Sequence, residues 1–147
     1  MGNIEELIER GNQAFNRHDV DGVVDLYTDN AELKGPGGMV AKGKDEIRRF
    51  TEGWIQGFPD CKIRVDNTII SGNTLVEEGL FTGTHTGTFP TPMGDIPPTG
   101  RKVEGDFVDV FVVENGKVVS DRLTFDRLQL MEQLGLVPTP AAAGTGA

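Results

Sequence analysis

The feature that most constrains this chain is a change of hydrophobic period at Pro59. Before it, apolar side chains recur every three to four residues. Ile4, Leu7, Ile8, Ala14 and Phe15 share one stripe with Gly11, and Ile47, Phe50 and Trp54 form another. After it they alternate, with Cys61, Ile63 and Val65 set against Lys62, Arg64 and Asp66. An amphipathic helix has a period near 3.6 residues and a half-buried strand a period of two, so helices come first and strands follow. The spacing predicts helices over 4–17, 20–28 and 44–56, strands over 61–70, 74–86, 101–113 and 117–125, and a last helical turn or two over 127–134. Residues 34–43 read as loop, or loop around a short strand, and 87–100 as a long Pro- and Gly-rich loop. Consecutive, hairpin-linked strands after a block of helices make an α+β fold with a mostly antiparallel sheet. Gly79, Gly83, Gly87 and Gly105 interrupt the strands, and glycine there marks bends or bulges. The expectation is a strongly curved sheet wrapped around the three N-terminal helices, a cone with an interior pocket.

At 147 residues and 15.9 kDa the chain suits one domain, expected over 1–137, with 138–147 a low-complexity, disordered tail. Fourteen basic residues against 23 acidic ones give a net charge of -9. No basic footprint exists for phosphate, so nucleic acid is not an expected partner. No apolar run approaches the roughly 18 residues of a membrane span. Met1-Gly2-Asn3-Ile4-Glu5-Glu6 has neither the basic nor the apolar region of a signal peptide, which points to the cytoplasm. A single cysteine, Cys61, allows no internal disulfide, and with two histidines it is too little for a structural zinc site. No metal and no cofactor are expected.

The chemistry-bearing candidates lie on the strands. In Phe107-Val108-Asp109-Val110-Phe111, parity puts Asp109 on one face with Phe107 and Phe111. A carboxyl between two aromatics is either desolvated, with a raised pKa, or paired with a neighbouring strand. Its partner depends on the hairpin at Glu114-Asn115-Gly116. A two-residue Asn-Gly turn sets Asp109 opposite Arg122, whereas a three-residue loop with a glycine bulge sets it opposite Asp121. In the second register Asp109 and Asp121 cannot easily both ionise, Val119, Leu123 and Phe125 face the pocket, and Val108, Val110, Val112, Val118 and Thr124 form an outer apolar face that suggests a homodimer. His85 shares parity with Phe81 and Gly83 and is either an acid–base group in the pocket or a histidine hydrogen-bonded at the sheet edge. Phe15, Tyr27, Phe50, Met39 and Trp54 belong to the apolar core, of which Phe15, Tyr27 and Trp54 are candidates to line the cavity.

Five stretches carry a family resemblance. "GNQAFNRHDVDGVVDLYTDNAEL" resembles the opening of the nuclear transport factor 2-like superfamily, and "GKDEIRRFTEGWIQGFPD" its third helix. "GTHTGTFP", "GDIPPTGRKVEGDFVDVFVVENGKVV" and "FDRLQLMEQLGL" are similar to one branch, the SnoaL-like polyketide cyclases. The resemblance covers residues 4–136. It implies a curved sheet and helices around a deep pocket, a homodimer and no cofactor, in a superfamily of cyclases, isomerases, epoxide hydrolases and non-catalytic binders. Position by position, the cyclase acid on the last long strand corresponds to Leu123, the isomerase base to Gly35 and the isomerase tyrosine donor to Gly11. The epoxide hydrolases' Arg-x-Asp corresponds to Gly83-Thr84-His85. Asp109 alone stands at a matching position, where ketosteroid isomerases keep a protonated Asp that donates to an oxyanion. The resemblance also favours the register that pairs Asp109 with Asp121. It implies a small apolar or polycyclic carbonyl ligand, with Asp109 supporting an enolate and His85 moving the α-proton. The alternatives are a non-catalytic binder with a degenerated site, or epoxide opening.

Overall fold

The computed structural model describes residues 3–138. Helix α1 (Ile4–Asn16) starts where Asn3 Oδ1 accepts the Glu6 N–H at 2.8 Å. That bond satisfies one of the amide donors a helix start leaves unpaired. Leu7, Ile8, Gly11 and Ala14 are its buried face. Helix α2 is short, Val20–Val24, capped by Asp19. Helix α3 (Gly43–Gly57) buries Ile47, Thr51 and Gly53.

The second helix ends earlier than its periodicity predicts. Tyr27 opens a strand, β1 (Tyr27–Gly35), which turns through Pro36–Gly38 into β2 (Met39–Lys42). Thr28, Asp29 and Asn30 are poor helix formers, and β1 gains a parallel partner that only the folded sheet supplies. The remaining strands are β3 (Lys62–Ser71), β4 (Thr74–Thr84), β5 (Phe89–Thr91), β6 (Gly94–Ile96), β7 (Lys102–Glu114) and β8 (Lys117–Phe125). β5 and β6 form a small hairpin inside the segment read as loop. Helix α4 spans Arg127–Gln133.

Six strands make one sheet in the order β2-β1-β8-β7-β4-β3, antiparallel except for the β1–β8 pair. Irregularities between Val65 and Asn67, between Tyr27 and Glu32, and between Val112 and Val113 bend it. The result is the curved, mostly antiparallel α+β cone expected from the sequence, not closed into a barrel.

The β7–β8 register corrects both expected alternatives. Glu114 pairs with Lys117, so the turn is two residues long, with Asn115 at φ 52° and Gly116 at φ 76°. The bulge lies beyond the turn, where Val113 pairs with Val118 but Val112 with Ser120, leaving Val119 extra. Asp109 therefore stands opposite Leu123, and Asp121 opposite Phe111. Because the bulge changes parity, Val118 is buried rather than on the outer face. Asp121, Leu123 and Phe125 nonetheless keep the inner face. The expected tail lies, apart from Pro138, outside the described residues.

Candidate active site

Between the concave sheet face and the helices lies a cavity of about 160 Å³. Its walls are apolar. Phe15 comes from α1, Phe50 and Trp54 from α3, Phe81 from β4, Phe107 and Phe111 from β7, and Leu123 and Phe125 from β8. Alternation along β7 brings Phe107, Asp109 and Phe111 inward together. Trp54 organises one end, its ring centroid 4.9 Å from Phe89, 5.1 Å from Phe81 and 5.5 Å from Phe125. Exposed Asp106, Asp126 and Gln129 stand at the rim. A second hollow of about 300 Å³ shares Phe50, Trp54, Phe125 and Leu130 with the first.

One polar belt crosses these walls. Tyr27 donates its hydroxyl hydrogen to Asp121 Oδ2 at 2.6 Å. Asp121 and Asp109 sit diagonally on neighbouring strands and face each other in the cavity wall. Glu77 on β4 is the direct cross-strand partner of Asp109, and its Oε2 accepts from Asn12 Nδ2 at 2.9 Å. The belt thus runs from β1 through β8 and β7 to β4 and ends on α1. No Lys, Arg or His lines the cavity to neutralise it.

The carboxyls must carry protons instead. Burial raises the pKa of Asp109 well above the usual carboxylate range, and the negative charges of Asp121 and Glu77 push the same way. Burial raises Asp121 too, while the hydrogen bond from Tyr27 opposes the rise. Asp109 Oδ1 and Asp121 Oδ1 are both buried with no hydrogen-bond partner, and a proton shared between the two carboxyls would satisfy both. Glu77 is pushed up to about 7, chiefly by burial, against the Asn12 hydrogen bond that favours its charged form. Burial and Asp121 together keep Tyr27 in its neutral form.

His85 is not part of this arrangement. It is buried against Phe58 and Phe89, with its ring 5.3 Å from that of Phe58, and it does not line the cavity. The backbone N–H of Thr99 donates to Nδ1 at 3.2 Å, which leaves the ring proton on Nε2. That nitrogen has no well-formed partner, although the backbone of Ile96 and Gly87 partly offsets the lowering of its pKa by burial. His85 keeps the face of Phe81 and Gly83, all three meeting Phe58, but it lies eight residues beyond Glu77, the cross-strand partner of Asp109, so His85 and Asp109 do not converge on the cavity. The other candidates, Phe15, Tyr27, Trp54, Phe107, Phe111, Leu123, Asp109 and Asp121, all line it.

Sequence reasoning missed Glu77 and Asn12. The signal was present. Glu77 has the parity of Leu75, Gly79 and Phe81, and Asn12 directly follows Gly11 on the buried side of α1. Cys61 is buried and its thiol pushed up to about 11 by that burial, which suits packing and not nucleophilic attack. Among the described residues, no three His, Cys, Asp or Glu side chains are arranged to share a metal ion, and no helix is long and apolar enough to cross a membrane.

The sequence model of the SnoaL-like polyketide cyclases matches residues 5–134, the span that builds the cavity and its belt. The chain belongs to the SnoaL-like polyketide cyclase family. Solved structures agree on the fold. A putative SnoaL-like polyketide cyclase from Jannaschia sp. CCS1 superposes with a TM-score of 0.80 at 22% identity, covering 91% of this chain and 92% of that one. AclR, a putative hydroxylase from Streptomyces galilaeus, gives 0.77 at 22% identity, covering 92% and 86%. Wild-type IdmH, a putative polyketide cyclase from Streptomyces antibioticus, gives 0.70 at 24% identity, covering 89% and 97%. No curated protein matches the sequence. Leu123, which the resemblance sets at the family's acid position, stands directly opposite Asp109 across the β7–β8 pair.

Proposed function

We propose that this SnoaL-like protein binds a small neutral carbonyl compound and catalyses its enolisation, as the opening step of an intramolecular aldol cyclisation or an isomerisation. The supporting observation is the buried Asp109–Asp121 carboxyl pair, both members pushed up by burial, in the wall of an apolar cavity. A carbonyl oxygen brought to Asp109 would receive a hydrogen bond that strengthens as charge develops on it. In a dry site one such donor contributes about 3–4 kcal/mol of transition-state stabilisation. Tyr27 keeps Asp121 hydrogen-bonded while Asp109 turns its proton to the substrate. A cavity of about 160 Å³ favours a one- or two-ring compound, and the adjoining hollow behind Trp54 gives a longer ligand somewhere to extend. The carboxyl belt disfavours anionic ligands, since nothing in the cavity pairs with them. We further propose that the outer face carrying Val108, Val110 and Val112 joins two copies; light scattering would then give twice 15.9 kDa.

The test uses 1-tetralone, a neutral two-ring ketone. Trp54 is the one tryptophan in the chain and lies in the cavity wall, so its fluorescence reports binding. Exchange of the ketone's α-hydrogens for solvent deuterium, followed by proton NMR, reports enolisation. Wild type is expected to accelerate exchange over buffer, and Asp109→Leu to lose about 100- to 1,000-fold of that rate. Asp109→Asn, which keeps a donor, should lose less. Ketone binding without any exchange would overturn catalysis and favour the binder reading that Leu123 supports.

A further inference from the structure

We infer that Glu77 is the base of this cavity, the group that takes the α-proton while the Asp109–Asp121 pair supports the carbonyl oxygen. The inference rests on the enolisation reading above and names the half of the chemistry which that reading leaves without a residue.

Geometry assigns the role. An enolising site needs a donor at the carbonyl oxygen and a base at the adjacent carbon, two separate groups a few ångströms apart on one wall. Asp109 and Glu77 are directly opposed across β7 and β4, where facing β-carbons stand about 4.5–5.5 Å apart. Both side chains point into the cavity. That offset suits a carbonyl oxygen on one and the neighbouring carbon on the other. Glu77 is 2% exposed, yet only its Oε2 is occupied within the protein, by Asn12 Nδ2. No hydrogen bond from the described residues reaches Oε1, which makes it the free acceptor of the belt. Asn12 fixes the carboxylate plane and favours its charged form.

The two acid sites also divide the labour cleanly. Asp109 and Asp121 lie together as a carboxyl pair on β7 and β8, while Glu77 stands apart on β4 with Asn12 as its hydrogen-bond partner. Asp109, Asp121 and Tyr27 are the titratable groups that face Glu77, all neutral or acidic, and the α1 residues on the cavity are uncharged. At neutral pH Glu77 is thus poised between its forms, as a base that must both take and return a proton requires.

The step balances without any co-reactant. The Glu77 carboxylate takes the α-hydrogen as a proton, and the C–H electron pair becomes the enol double bond. The carbonyl π pair moves onto oxygen, which accepts the hydrogen bond or proton of Asp109. Reversal with deuterium on Glu77 returns the ketone labelled at the α-carbon. In a cyclisation the enol carbon attacks a second carbonyl instead.

The experiment measures 1-tetralone exchange and Trp54 quenching across pH for wild type, Glu77→Gln, Asn12→Ala and Asp109→Leu, with carbon-13 NMR of the Glu77 carboxyl as an independent readout. Gln at 77 keeps an acceptor for Asn12, so folding and binding are expected to persist, while exchange falls about 100-fold or more. The wild-type rate should rise with pH through about 7, as the carboxylate forms. Asn12→Ala should move that rise to higher pH, because the donor that favours the anion is gone; a merely structural asparagine would leave the midpoint in place. Should Asp109→Leu lose exchange while Glu77→Gln stays within about threefold of wild type, Glu77 is not the base and the enolisation reading survives. A Glu77 carboxyl that titrates in the ordinary range of about 4–5 overturns the assignment in the same way. If wild type binds the ketone but exchanges nothing, the enolisation reading fails and takes this assignment with it.

Discussion

Glu77 and His85 are both sealed from bulk solvent, 2% and 0% exposed, and burial drives both toward their neutral forms. Their surroundings differ in one respect. His85 lies in a filled region, where Phe58 and Phe89 pack on its ring and Thr99 occupies Nδ1. Glu77 lies in a hollow one, with its polar neighbours on one side and open cavity on the other. A titratable group enclosed by packed atoms has nothing to react with, whatever its pKa. The same group beside an empty space lined by aromatics has room for a substrate. The contrast shows why a perturbed pKa marks a functional site only together with a cavity.

The packing difference can be broken first, by removing one ring from each region. Phe58 is fully buried and touches Trp54, Phe81, His85 and Phe89. Phe58→Ala should cost about 3–5 kcal/mol, since a rigid cluster cannot collapse onto the void. Phe107 is also buried, at 7% exposed, but it belongs to neither packed cluster and borders the cavity instead. Phe107→Ala enlarges a space that already exists and should cost less stability but more ligand affinity. Urea unfolding and Trp54 fluorescence titration measure the two; equal stability losses would show that the cavity is not open in solution.

The second prediction uses the opposite signs of the two titrations. Glu77 holds its proton more tightly when folded. Its stabilising contribution is therefore complete below its ordinary pKa of 4.5 and is lost as pH rises through about 7. The loss is about 3 kcal/mol, and Asp109 and Asp121 share its sign. His85 releases its proton more readily when folded, so its contribution is complete above 6.5 and is lost as pH falls. Unfolding midpoints followed from about pH 5 to about pH 8 should fall less steeply with pH in Glu77→Gln than in wild type. In His85→Asn, the decline on the acidic side should shrink. A wild-type slope unchanged by Glu77→Gln would mean that water reaches the carboxyl freely.

Most of this architecture could be read from period and parity. β3, β4, β7, β8 and the inward facing of Phe107, Asp109 and Phe111 follow from alternation, and α3 from its three-to-four spacing, both local properties of the backbone. What escaped depended on contacts between distant segments. Tyr27 became a strand residue because β8 offered it a parallel partner, and the β7–β8 register turned on a bulge at Val119 that no turn residue announces. His85 satisfies the same alternation as Phe81 and Gly83, but that end of the face is filled by Phe58 and Phe89, which local parity does not reveal. Glu77 was legible by parity with Leu75 and Gly79, while Glu78 beside it takes the opposite, exposed face.

The smallest expected effect is the sharpest test of the division between the two regions. His85→Asn removes the imidazole while leaving a short polar side chain near Thr99. Part of the Thr99 hydrogen bonding should be lost, at a cost of about 1–3 kcal/mol if that N–H is left unpaired. His85 also anchors the 86–100 segment through its backbone, accepting from Gly100 N–H and donating to Arg101 O, each at 2.8 Å, and those bonds do not depend on the side chain. The cavity wall is therefore expected to keep its shape. Ketone exchange should stay within about twofold of wild type, with an unchanged pH midpoint. A loss of tenfold or more with Trp54 quenching intact would place the imidazole in the reaction. The segment between β4 and β7 would then have to open and bring the filled region to the hollow one, and the distinction between them would describe one resting state of the molecule instead of its working parts.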